Sequence, residues 1–219
     1  MSYFNIVAET SENTVVTEYE PVKRRSDSYQ SEAELEQEFI RMLCEQGYEY
    51  LPLHTERDMI SNLRERLQEL NNYEFTDKEW TYFFNNDIAN PNFSLQDKTR
   101  NIQEDYRKVL KRDDGSTKNI SLIDKTNIHN NRLQVINQYV MGLQDGAKHD
   151  NRYDVTVLVN GLPLVHVELK RRGVQIREAF NQINRYKRDS FWAGSGLFEY
   201  VQILSLIHIS EPTRRTPIS

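Results

Sequence analysis

The chain has one cysteine, Cys44, among its 219 residues. An intramolecular disulfide is therefore excluded, a Cys-based zinc site is not expected, and a reducing, cytoplasmic setting fits. Apolar runs are short: none approaches the roughly 18 residues that a membrane span needs. Met1 to Glu20 is polar and acidic with no apolar centre, so no signal peptide is expected. None of the eight glycines falls in a G-x-x-x-x-G-K-[ST] frame, so the chain should not cradle ATP phosphates in a P-loop. A surplus of positive charge is also missing. The net charge is −5, which argues against a generally basic nucleic-acid binder.

A mixed chain of ordinary globular composition remains, 37% hydrophobic and 28% charged, long enough for one domain with a full core. Met1 to Ser28 lacks periodicity and reads as an extended arm, with a short strand possible at Thr14 to Tyr19. Ser31 and Glu34 form a capping box that opens a helix to about Gln46, with Leu35, Phe39 and Leu43 on its apolar stripe. Met59, Leu63, Leu67 and Leu70 mark a second helix, and Thr76 with Glu79 caps a third holding Trp80, Phe83 and Phe84. Tyr106 to Lys111, Asn119 to Asp124 and Leu133 to Tyr139 read as strands.

The most informative segment runs from Tyr153 to Lys170. Two β-branched runs are separated by Asn160-Gly161, the signature of a hairpin turn. Asp154 is followed after thirteen residues by Glu168-Leu169-Lys170. A strict two-residue turn would pair Val159 with Leu162 and put the two carboxylates on opposite faces, because side chains alternate. One extra residue in the turn, such as a three-residue loop with a glycine bulge, places Asp154 opposite Glu168. It also gathers Val155, Val157, Val159, Val165, Val167 and Leu169 on the other face. The hydrophobic pattern and the chemistry thus require the same register. Two carboxylates and a lysine on one sheet face can hold a divalent metal and orient a water, which is the chemistry of phosphodiester hydrolysis. The bland alternative is a solvated polar face, and His166 on that face reads most simply as a surface histidine.

Ile176 to about Asp189 reads as a helix, on which Gln182 and Tyr186 project from one side. Between Glu168 and Asp189, seven basic residues stand against three acidic ones. This is a local positive patch of the kind a phosphate backbone requires.

Asn151 to Tyr186, together with Asp27 to Ile40, Gln46 to Glu49 and Leu122 to Lys125, closely resembles the nuclease domain of type I restriction enzyme R subunits. The resemblance spans about Tyr29 to Leu204. It implies a mixed α/β, restriction-endonuclease-like PD-(D/E)xK core: a central mixed sheet flanked by helices, with a helical insertion at about 57–103. It makes Asp154, Glu168 and Lys170 the nuclease triad and Gln182 with Tyr186 the Q-x-x-x-Y motif. It assigns Mg²⁺ to Asp154, Glu168 and the carbonyl of Leu169. Many nucleases of the superfamily add a carboxylate from the first helix; Glu36 is a candidate here, with Glu34 and Glu38 close by.

By the same resemblance, the substrate is double-stranded DNA, cut after ATP-driven translocation, and the partners are methylation and specificity subunits. RecA-like motor domains, and with them ATP binding, are expected only in the full-length subunit. Two rival readings concern the chain by itself: an assembly module docking through 57–103, and a DNA-binding domain without catalysis. Residues 205–219 resemble a translated cloning or adapter sequence, so the last strand should lose its family register near Ser205, although Leu206, Ile207 and Ile209 can still extend it by accident.

Overall fold

The structure is a computed structural model. It describes residues 4–9, 15–19, 31–141, 151–170, 181–182, 184–186 and 191–208. The element that organises it is a five-stranded mixed sheet in the order β3 (Glu49–Tyr50), β6 (Leu133–Met141), β7 (Asn151–Val159), β8 (Leu162–Lys170), β9 (Ile203–His208). The central pairs β6–β7 and β7–β8 are antiparallel, whereas both flanking pairs, β3–β6 and β8–β9, are parallel. Two small hairpins form separate two-stranded sheets: β1 (Phe4–Glu9) with β2 (Val15–Tyr19), which lies against β9, and β4 (Arg107–Lys111) with β5 (Thr117–Ser121).

Helix α1 (Glu32–Glu45) begins at the expected capping box, in which Ser31 Oγ accepts from the Glu34 N–H and Glu34 accepts from the Ser31 N–H. It covers one face of the sheet. Leu35, Phe39, Ile40 and Leu43 pack on Val135, Val155, Val167 and Leu169. The other face is covered by α2 (Glu56–Asn71), α3 (Asp77–Phe83) and α4 (Leu95–Gln103). Leu63, Leu67, Phe83, Leu158 and Leu162 have no exposed surface there, and each such side chain contributes about 2 kcal/mol by leaving water. Each of these three helices opens on its own capping box, at Thr55–Asp58, Thr76–Glu79 and Ser94–Asp97. The box at Ser94 is the signal for α4, a helix that apolar periodicity alone did not reveal. Among the described residues no helix is long and apolar enough to cross a membrane.

Strand β9 departs from the sequence expectation. Its register against β8 is unbroken from Val165↔Ile203 to Lys170↔His208, so nothing is lost at Ser205. The reason is alternation: Leu204 packs against the α2–α4 core and Leu206 is buried, while Ile207 packs on the α1 side. Residues 209–219 lie outside the described residues.

Candidate active site

The β7–β8 hairpin brings Asp154 and Glu168 to the same place, by a route the sequence did not indicate. The turn has two residues: Asn160 and Gly161 have φ of 51° and 85°, and Val159 pairs with Leu162. The expected three-residue turn is therefore incorrect. The extra residue lies inside β8 instead: Val157 pairs with Val165 and Leu158 with Pro163, leaving Leu164 as a bulge. Pro163 has no N–H to give to the ladder, so an irregularity beside it costs little. The paired ladder ends at Val155↔Val167, and continuing that register by one residue brings Asp154 to Glu168, where the Leu169 N–H donates to the Asp154 carboxylate.

The short turn has its own cause. Asn160 Nδ2 donates to the Leu122 carbonyl and to Asn131 Oδ1, while its Oδ1 accepts from the Arg132 N–H. A Cβ on Gly161 would lie 2.6 Å from the Leu63 Cα of α2, so packing and backbone both require glycine.

Glu168 is fully buried. Lys170 Nζ donates to its Oε1 at 2.7 Å, but its Oε2 has no hydrogen-bond partner. His166 is also fully buried, which corrects the surface reading. It lies among the rings of Tyr153, Tyr186 and Phe191, and its Nδ1 is 3.3 Å from Thr156 Oγ1. Its Nε2 is 3.6 Å from Glu168 Oε2, an electrostatic neighbour rather than a hydrogen bond. Burial pushes the Glu168 carboxyl up, yet His166 and Lys170 outweigh it and hold the group below the usual range.

Asp154 meets the opposite fate. Its Oδ2 accepts from the Leu169 N–H at 2.9 Å. Burial first, and then the charge of Glu168, push its carboxyl up to about 7. The two carboxylates therefore repel each other, and the lysine that is near both is hydrogen-bonded to Glu168.

Gln182 and Tyr186 lie together on described helical residues, Gln182 donating to the Tyr186 hydroxyl. Tyr186 is buried, and its hydroxyl donates to the Arg152 carbonyl at 2.7 Å, two residues before Asp154. Burial, with Glu168 adding to it, drives the phenol pKa upward, so the hydroxyl keeps its proton. The motif thus ties its helix to β7. Of the positive patch, Lys170 and Arg185 are described, and the exposed Arg152 joins them. Arg171, Arg172, Arg177, Lys187 and Arg188, with the rest of the expected helix at 176–189, lie outside the described residues.

Of the three first-helix glutamates, Glu36 is the buried one. It accepts from Asn137 Nδ2 at 2.6 Å and from Gln138 Nε2, and its charge is among those that raise Asp154. Glu34 is committed to the capping box. Sequence reasoning missed Asn137 and Gln138. The signal available was a pair of amides interrupting the apolar run from Val135 to Met141.

The donor set suits a hard cation. Among the described residues no three His, Cys, Asp or Glu side chains gather as a ready-made metal cage. Two carboxylates, one with an unpartnered buried oxygen, match Mg²⁺, which binds through one or two carboxylates and keeps several waters.

A helix-flanked five-stranded mixed sheet, with facing carboxylates and a lysine on adjacent strands, defines a restriction-endonuclease-like core. Residues 29–210 match the family described as Type I restriction enzyme R protein N terminus, and the chain belongs to it. It is 47% identical to the Type I restriction enzyme EcoprrI endonuclease subunit of Escherichia coli, over 90% of this chain and 62% of that protein. It is 39% identical to the SsaAORF53P endonuclease subunit of Staphylococcus saprophyticus, over 80% of this chain and 18% of that protein. It is 36% identical to the putative MjaVIIIP endonuclease subunit of Methanocaldococcus jannaschii, over 38% of this chain and 8% of that protein. The chain therefore spans under two thirds of the first of these relatives and under a fifth of the second.

Proposed function

We propose that this chain is the DNA-cutting end of a type I restriction subunit, hydrolysing phosphodiester bonds of double-stranded DNA with Mg²⁺. The observation that carries the reading is the half-buried Asp154 beside the fully buried Glu168, with Lys170 on one oxygen of Glu168 and no hydrogen bond to the other. Asp154, Glu168 and the Leu169 carbonyl would hold the cation. When bound, it supplies a charge that neutralises the scissile phosphate and acidifies a water.

The remaining roles belong to the chain's own groups. Lys170, anchored on Glu168, orients the attacking water and stabilises developing negative charge. The Leu169 N–H fixes the Asp154 carboxylate, so the two acids stay in place before substrate arrives. Gln182 and Tyr186 hold the β7 backbone beside Asp154. Arg152 and Arg185, both exposed, are free to meet the phosphates of a DNA strand. Translocation by an ATP-driven motor, and site recognition by specificity and methylation subunits, belong to the rest of the enzyme.

The test is plasmid cleavage, by the chain alone and in the assembled enzyme, with and without Mg²⁺. Metal-dependent cutting that Asp154→Ala abolishes is the expected result. Undiminished cutting by Asp154→Ala would refute the assignment.

A further inference from the structure

The β6–β7 ladder runs without interruption except at one point. Asn137 pairs with Val155 and Tyr139 with Tyr153, but the step between them, Gln138 opposite Asp154, is missing. Gln138 has φ of 53°, in the left-handed region that side chains other than glycine and asparagine seldom occupy. Consecutive residues of a regular strand point to opposite faces. Here the left-handed residue cancels that alternation: Asn137 and Gln138 both donate to the Glu36 carboxylate, one to each oxygen. The chain then resumes its course, with Tyr139 and Tyr153 in the core on the far side from α1.

The orientation of these amides is forced. Turning either one over would set its carbonyl against a carboxylate. Gln138 keeps its amide on Glu36 although its own Oε1 is buried without a partner. Asn137 is braced in turn by the Tyr50 hydroxyl, which donates to its Oδ1 at 2.9 Å. Glu36 is thereby a fixed carboxylate, held by the strand residues that lie across from Asp154.

We propose that Asn137 and Gln138 are positioning residues that aim Glu36 at the Asp154 end of the site, setting how tightly a divalent cation is held there. This rests on the nuclease reading given above. Glu36 acts at one remove, since it does not join a three-carboxylate cage with Asp154 and Glu168. A fixed negative charge beside the cation's ligands strengthens binding through the local field. One unit charge within roughly 10 Å of a divalent cation is worth about fivefold in affinity.

The experiment measures Mn²⁺ affinity on the full 219-residue chain by water-proton relaxation, with the thermal midpoint of each variant recorded. Glu36→Gln should weaken binding about fivefold. Asn137→Ala with Gln138→Gly should do the same, because glycine keeps the left-handed backbone while deleting the amide. Gln138→Asn, which tolerates that backbone but falls a methylene short, serves where the glycine variant folds poorly. The deciding arm combines the amide changes with Glu36→Gln. If the amides act through Glu36, the combined variant binds no more weakly than Glu36→Gln alone. Parental affinity in the amide variants, or a loss that persists in full without Glu36, would overturn the inference while leaving the nuclease reading intact. Unchanged Mn²⁺ binding in Asp154→Ala would overturn both.

Discussion

The two ends of the β6–β7–β8 sheet bury polar groups in contrasting ways. At the turn end the buried amides are matched: the Asn160 side chain makes three hydrogen bonds, and Asn62 and Gln134 exchange amide bonds at 3.0 and 3.1 Å. At the site end Glu168 Oε2, His166 Nε2 and Gln138 Oε1 are buried with no hydrogen-bond partner, and the Asp154 carboxyl is pushed up to about 7. The turn end has one such atom among the described residues, Arg66 Nε, in a guanidinium whose remaining nitrogens meet Glu65 and Glu69. Buried polar atoms are almost always satisfied when stability alone is at stake. One end of this sheet is largely satisfied, while the other holds the polarised groups on which the proposed chemistry rests.

The largest expected effect lies at the polarised end. Glu168→Ala or Lys170→Ala should reduce cleavage by the assembled enzyme about a thousandfold or more, leaving ATP hydrolysis and translocation intact. Lys170→Arg should not restore it, because a planar guanidinium does not replace a compact ammonium. If Lys170→Ala also halted translocation, the site would be coupled to the motor and the separation of roles would be wrong.

The matched end should respond in stability instead. Asn160→Ala removes three hydrogen bonds and puts alanine at a left-handed position, costing about 3 kcal/mol. Denaturant unfolding would read that loss, and cleavage per folded molecule should be unchanged. An equal fall in cutting rate would erase the contrast between the ends.

A third expectation concerns pH in the absence of divalent metal. Unperturbed Asp titrates at 3.8, and Asp154 in the folded chain at about 7. Between these values the folded protein holds a proton that the unfolded chain has released, so stability should fall as pH rises from about 4 to about 7. Glu168, held below its usual value, acts in the opposite sense and only at lower pH, so it does not mask this window. After allowance for partial solvent screening, the loss should be ~2 kcal/mol, or roughly 4–8 °C in Tm. Asp154→Asn should abolish the slope, and saturating Mg²⁺ should flatten it. A slope that survives in Asp154→Asn would place its origin elsewhere.

The smallest effect is expected between the two ends. Tyr186→Phe deletes one buried hydroxyl bond to the Arg152 carbonyl, worth about 1 kcal/mol. Calorimetry should register that drop alongside a modest loss of cleavage rate. A thousandfold loss of cutting would move Tyr186 from support to chemistry.

Local rules made much of this molecule legible. Capping boxes at Ser31 and Thr76 start helices where the pattern says, and the apolar stripe Leu35, Phe39 and Leu43 faces the sheet. The demand that Asp154 and Glu168 share a face needed only strand alternation and the valine pattern, since both are short-range consequences of covalent geometry. What the sequence left open depended on groups far apart along the chain. The added residue of the hairpin moved from the turn into β8, because Asn160 is clamped by Leu122, Asn131 and Arg132, and Pro163 cannot donate. His166 appeared to be a surface group until the rings of Tyr186 and Phe191 closed over it. Glu36 became distinguishable from Glu34 and Glu38 only through two amides about a hundred residues away. By itself, then, the sequence determined the first three helices, the central hairpin and the requirement that the two carboxylates share a face, because those follow from neighbours a few residues apart. Register detail, burial and the positioning of Glu36 were decided by tertiary structure alone, because only folding sets the field and the hydrogen bonds around each charge.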